Sequence, residues 1–222
     1  MTANLAKSDQ KAVIQINTHG ILLVFPIMNR KEPKSLWSAF FPKTKMRWEW
    51  DETGDNRVGD LWALMKRLSV TKQVIYSKWY QGRATFFSLP LFEAMLCLYQ
   101  KNLAQTHLSR SAKGLLDALE SDSPLSTRDL KKLTELQGKD HNSDYTRAMK
   151  QLFSQLLVVA FGEVKDGAFP SLAVGATQLL YEDLWNCAAK MNSDKAQKIV
   201  DRFMPLGSNV RKYFDKVNSG LK

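Results

Sequence analysis

The chain of 222 residues has two cysteines, Cys97 and Cys187, and three histidines, His19, His107 and His141. Each cysteine lies inside a helix-like apolar segment, no CxxC occurs, and the histidines are far apart. That excludes a disulfide framework and a Cys/His metal site, and no metal or cofactor is expected. Long apolar runs are also missing: the longest, "LLVVAF" at 156–161, is far short of the roughly 20 residues of a membrane helix. The segment "MTANLAKSDQKAV" has no apolar core of the secretory type, so a cytoplasmic, non-membrane protein is expected. G-x-S-x-G, P-loop and dinucleotide fingerprints do not occur, and "GDNRVGD" is not one.

What is present is a surplus of positive charge. The formal net charge is +10, with hydrophobic and charged fractions of 44% and 24% that are ordinary for a globular protein. The surplus is uneven: residues 1–50 carry eight Lys/Arg against three Asp/Glu, and the last 22 carry five against two. Such a balance suits a polyanion partner, DNA foremost, and equally serves solubility.

Periodicity organises the chain into a repeated outline. "SDQKAVIQIN" (8–17) predicts a helix with Ser8 as N-cap, and "GILLVFP" (20–26) a buried strand or short helix. "SLWSAFF" (35–41) predicts a helical turn capped by Ser35 and stopped by Pro42. "DNRVGDLWALMKRLS" (55–69) places Val58, Leu61, Trp62, Met65 and Leu68 on one stripe. "QVIYSKWYQGRATFFSLP" (73–90) reads as a hairpin turning at Gly82, with Pro90 opening the next helix. The second half repeats this: helices in "SRSAKGLLDALESD", in "PLSTRDLKKLTELQG" (Ser126 or Thr127 capping, Gly138 ending) and in "HNSDYTRAMKQLFSQL", then a hairpin in "LVVAFGEVKDGAFPSLAVG". Three helices followed by a hairpin is the winged helix-turn-helix pattern. The expected fold is mainly α with short β-hairpins (α+β): tandem winged helix-turn-helix units over 1–105 and 106–177, plus C-terminal helices over 178–222 packing on the second unit.

Chemistry is sought first on the third helix of the second unit. Arg147, Lys150, Gln151 and Ser154 share its outer face, where Arg and Gln are able to read base edges and Lys to neutralise phosphate. Asn142, Ser143 and Thr146 stand near its start, and Lys165 marks the wing tip. Lys78 and Arg83 are the matching contacts of the first wing. In "KMRWEWDETGD" (45–55), alternation sends Trp48 and Trp50 inward and Glu49 and Asp51 outward, leading to a loop whose acids cap the next helix. Aromatic planes among Lys45, Arg47, Lys78 and Arg83 also suit stacked bases and phosphates. Glu49 and Asp51 are the candidates for catalysis, should the protein hydrolyse an N-glycosidic bond. A protein-interaction scaffold, the third alternative, requires an exposed apolar patch around Trp185 and Phe214.

The pieces "LWSAFFP", "MRWEWDETGDNRVGDLW", "KWYQGRATFFS" and "DGAFPSLAVGATQLLYEDLW" resemble a group of bacterial tandem winged-helix proteins related to the AlkZ-type winged-helix DNA glycosylases. The resemblance implies a winged-helix fold, DNA as partner and base excision as the activity of the longer enzymes. Those use three winged helices and a short glutamine-containing catalytic motif near an early helix. Here "VIQIN" supplies Gln15 without a second polar partner at that spacing, so no catalytic residue is carried over.

Overall fold

The computed structural model describes residues 6–48, 55–103, 107–164 and 171–220. The first half runs α1 (Lys7–His19), β1 (Ile21–Leu23), α2 (Leu36–Phe40), α3 (Arg57–Leu68), β2 (Ile75–Ser77) and β3 (Thr85–Phe87), followed by α4 (Leu89–Leu103). The second half runs α5 (Arg110–Ser121), β4 (Leu125–Ser126), α6 (Thr127–Leu133), α7 (Asn142–Ser154), β5 (Val158–Val164) and β6 (Ser171–Ala176). It ends in α8 (Thr177–Leu180), α9 (Glu182–Lys190), α10 (Ser193–Phe203) and α11 (Asn209–Ser219). The fold is mixed α+β, as expected.

Both halves follow one order: helix, strand, helix, helix, strand, strand. Their strands form one antiparallel sheet in the order β1-β3-β2-β5-β6-β4, so each half places its third strand centrally and its second strand at the join. The join pairs Tyr76 with Ala160. An order that reads the same from both edges, with antiparallel strands meeting in the middle, has the topology of a twofold axis normal to the sheet.

Side-chain alternation divides the core by sheet face. Ile21, Leu23, Ile75, Phe87 and Val159 face a layer built from α4 and the C-terminal helices. Leu22, Val24, Tyr76, Phe86 and Ala160 face α1, α2 and α3, while Val158, Val174 and Ala176 face α5, α6 and α7. The helical triplets of both halves therefore share one face, and α4 and α9, which follow the third strand of each half, share the other.

Local chemistry explains most boundaries. Ser35 caps α2 through a reciprocal bond pair with Ser38, and Ser126 caps α6 by accepting from the Asp129 N–H. Gln81 and Gly82, both at positive φ, turn the first hairpin. Three expectations need correction. Ala6, not Ser8, is the N-cap of α1, and the Ser8 hydroxyl donates to Asp9. Helix α6 stops at Leu133, well before Gly138, where Glu135 adopts positive φ. Phe214 is buried in a stacked pair with Tyr99, and Trp185 packs half-buried against two core clusters, so neither offers an exposed apolar patch.

Asp9, 3% exposed, ties α1 to α3 through a two-pronged pair with Arg67: Nε to Oδ2 at 3.0 Å and the terminal nitrogen to Oδ1 at 2.8 Å. These hydrogen bonds hold its carboxyl below the usual range, against the opposing effect of burial. The depressed folded value gives stability that is present above the unfolded pKa and is lost as pH falls through the folded one. Arg67→Ala, which strands a buried carboxylate, is expected to cost about 2–3 kcal/mol in urea unfolding at neutral pH. Asp9→Asn should flatten the acid limb of the stability profile below about pH 4. At the end of α1, Gly20 has φ +73° and lies against Phe203, whose ring a Cβ would overlap. Gly20→Ala should destabilise by roughly 2–4 kcal/mol, read as a lowered denaturation midpoint at unchanged slope.

Candidate nucleic-acid interface

Helix α7 buries Tyr145, Ala148, Met149, Leu152 and Phe153, so its amphipathic sequence fixes which side faces out. Arg147 and Lys150 lie on that outer side and are exposed. Arg147 approaches Asp144 at 3.6 Å across open solvent, a contact of little energetic consequence.

Gln151 is engaged elsewhere. Its amide nitrogen donates to the His107 carbonyl at 2.9 Å, and its oxygen accepts from the Ser109 N–H at 3.2 Å, fastening the approach to α5 onto α7. Two of the polar residues near the helix start are similarly occupied. Thr146 donates to the Asn142 carbonyl, and Asn142 accepts from Lys131, whose ammonium sits 4.5 Å from the Tyr145 ring centre. Ser143 is exposed.

The outer face of α7 forms one wall of a groove of about 370 Å³, and α11 forms the other with Tyr213 and Lys216. Tyr213 also meets the first hairpin: its ring lies 4.9 Å from Trp79 and 5.0 Å from Tyr80, centre to centre. The structure thus brings the hairpin of Lys78 and Arg83 alongside Arg147 and Lys150 through a single tyrosine of α11. Arg83 is exposed on the turn. Lys78 is half-buried, and burial holds its ammonium below the usual value. Tyr213 and Lys216 escaped the sequence reading. The signal was present in the basic closing segment "NVRKYFDKVN", where the two stand three residues apart on one helix face.

Lys165, Glu49, Asp51 and Trp50 lie outside the described residues. Near the end of β5, two positions before Lys165, Glu163 pairs with Lys66 of α3 at 2.8 Å, so the second hairpin's stem rests on the first half's third helix. In 45–48 the alternation is as expected, although this stretch is extended chain outside the sheet. Met46 is buried, Lys45 and Arg47 are exposed, and Trp48 is half-buried against the core. Asp55 acts as a cap: its carboxylate accepts from the Arg57 N–H at 3.0 Å and grips the Arg57 guanidinium. That guanidinium holds the Asp55 carboxyl below its ordinary value.

Trp62, expected on the buried stripe of α3, is 45% exposed. The buried side of α3 is filled by Val58, Leu61, Leu64, Met65 and Leu68, and residue 62 is turned about 100° from Leu61, off that side. Among the described residues no three His, Cys, Asp or Glu side chains are arranged to hold a metal ion, and no helix is long and apolar enough to cross a membrane.

A family model described as "AlkZ related" matches residues 6–217. No curated protein and no solved structure matches the chain. The match spans nearly the whole fold, from the first turn of α1 to the last turn of α11, and the chain therefore belongs to the AlkZ-related family.

Proposed function

We propose that the protein binds duplex DNA through two winged helix-turn-helix units, one over 1–105 and one over 106–177, buttressed by the helical segment 178–222. The observation that carries this reading is the placement of Arg147 and Lys150. Both are exposed on the third helix of a helix–strand–helix–helix–strand–strand unit, the helix that winged-helix proteins lay in a major groove. Lys216 across the groove and Arg83 on the neighbouring hairpin extend the same positive surface toward flanking phosphates. Gln151 contributes by holding α5 in place, Lys78 and Lys165 are supporting contacts, and no cofactor takes part. Membership of the AlkZ-related family supports DNA as the partner.

The same membership favours a second reading, a DNA-repair glycosylase acting on damaged bases, with Glu49 or Asp51 near the chemistry. In such a reaction a carboxylate orients water and steadies positive charge developing on the sugar.

Titration against labelled duplex separates these readings. Arg147→Ala with Lys150→Ala is expected to weaken duplex affinity at least tenfold and to lower the slope of log K against log salt by about 2, roughly 0.9 for each phosphate no longer neutralised. Unchanged affinity would refute the α7 placement. The glycosylase reading expects strand breakage at an alkylated base after alkaline work-up, abolished by Glu49→Gln with Asp51→Asn. A lesion duplex that stays intact after prolonged incubation removes that reading.

A further inference from the structure

Lys43, Lys45 and Arg47 of the first half, which the α7 surface leaves unused, line a cleft rich in basic side chains. The cleft has a volume of about 570 Å³, within the range of roughly 300–1,000 Å³ of ligand-sized sites. Among the described residues, Lys43, Lys45, Arg47 and Arg57 line it together with one carboxylate, Asp55.

Its walls are held by side-chain bonds. Asn29 clamps Met46 from both sides, donating to its carbonyl at 3.0 Å and accepting from its N–H at 2.7 Å. The Trp37 indole N–H donates to the Thr44 carbonyl at 2.9 Å. Arg57 is gripped by Asp55 and lies over the rings of Phe41 and Trp37, 4.7 and 5.4 Å from their centres. The backbone at Thr44 and Met46 and the Arg57 guanidinium are thus held in place before any ligand arrives.

Beyond Arg47 the chain reaches Trp48, whose ring lies 5.3 Å from Phe25, and Phe25 stacks at 6.4 Å and 24° on Trp62. Trp48 and Phe25 are half-buried, while Trp62 is exposed. The Trp62 indole, backed by Phe25, which itself meets Trp48, presents a flat surface, and Trp48 follows directly on Arg47 of the cleft.

We propose that this cleft and platform form a binding site for an unpaired stretch of nucleic acid, with a base stacked on Trp62 and the flanking phosphates held by Lys43, Lys45 and Arg47. A duplex keeps its bases stacked on one another and has none free for Trp62, whereas single strands do. The site is separate from the α7 surface and belongs to the other half of the molecule.

The test is a titration of the full chain with a short labelled deoxyadenylate single strand and, in parallel, with duplex. Trp62→Ala should lower single-strand affinity about tenfold and leave duplex affinity unchanged, while Trp62→Phe should retain most of it. Because Trp62 is exposed, thermal melting of both variants should match the parent. Lys43→Glu with Lys45→Glu should reduce the single-strand salt slope by about 1.4, close to 0.7 for each phosphate released. Single-strand affinity unchanged in Trp62→Ala overturns the proposal, as does an equal loss for single strand and duplex. Loss of duplex binding in Arg147→Ala with Lys150→Ala, single-strand binding intact, would keep the two sites distinct. Loss in neither set would refute both separately.

Discussion

One backbone pairing, Tyr76 against Ala160, turns two three-stranded half-sheets into a single sheet. It is the only register pair between β2 and β5 among the described residues, and side chains reinforce it. The Ser69 hydroxyl accepts from the Gly162 N–H, Lys66 pairs with Glu163, and Val70 occupies the space beside Gly162. Gly162 has φ +79° at a register irregularity between Ala160 and Glu163. The pairing with β2 at Ala160 lies just before this bulge, and β5 pairs with β6 on both sides of it. With the join in place, α4 and α9 meet across one face and the two helical triplets share the other. Without it neither layer has a continuous surface to cover.

The join also explains why sites from opposite halves become neighbours. Antiparallel pairing at the centre points the two hairpins in opposite directions, and each lies against the other half. The first meets α11 beside α7, and the stem of the second is tied to α3. Some of the basic side chains serve this framework. Arg67 neutralises buried Asp9, Arg211 bridges Asp201 and Asp215 while buried, and Lys66 holds Glu163. Arg147, Lys150 and Lys216 by contrast line the groove of α7, and Lys43, Lys45 and Arg47 line the cleft of the first half.

Elements defined by local chemistry were legible in the sequence. Ser35 and Ser126 cap as their positions predict, Gly82 turns the hairpin, Pro90 sits in the first turn of α4, and α7 buries Tyr145, Met149, Leu152 and Phe153 on the side opposite Arg147 and Lys150. The outer face of α7 could therefore be read, since a filled inner stripe leaves only one outer side. Three kinds of information were not local. Gln151 reads as a base-contacting amide until the chain 42 to 44 residues earlier is seen to occupy both its ends. Trp62 shares its apolar character with the stripe but not its angle. The central pairing unites positions far apart in sequence, and nothing in either strand alone specifies β2 or β5 as the inner edge.

That long-range pairing has a consequence for synthesis. As the chain leaves the ribosome, α1 to β3 emerge together with every local contact they need, yet β2 keeps an open row of backbone donors and acceptors until residue 160 has followed. An uncovered strand edge flanked by Ile75 and Tyr76 invites pairing with any other extended chain. The nascent first half is thus the stage at which a neighbouring ribosome's product can substitute for β5, and translation speed through the second half sets how long that window stays open.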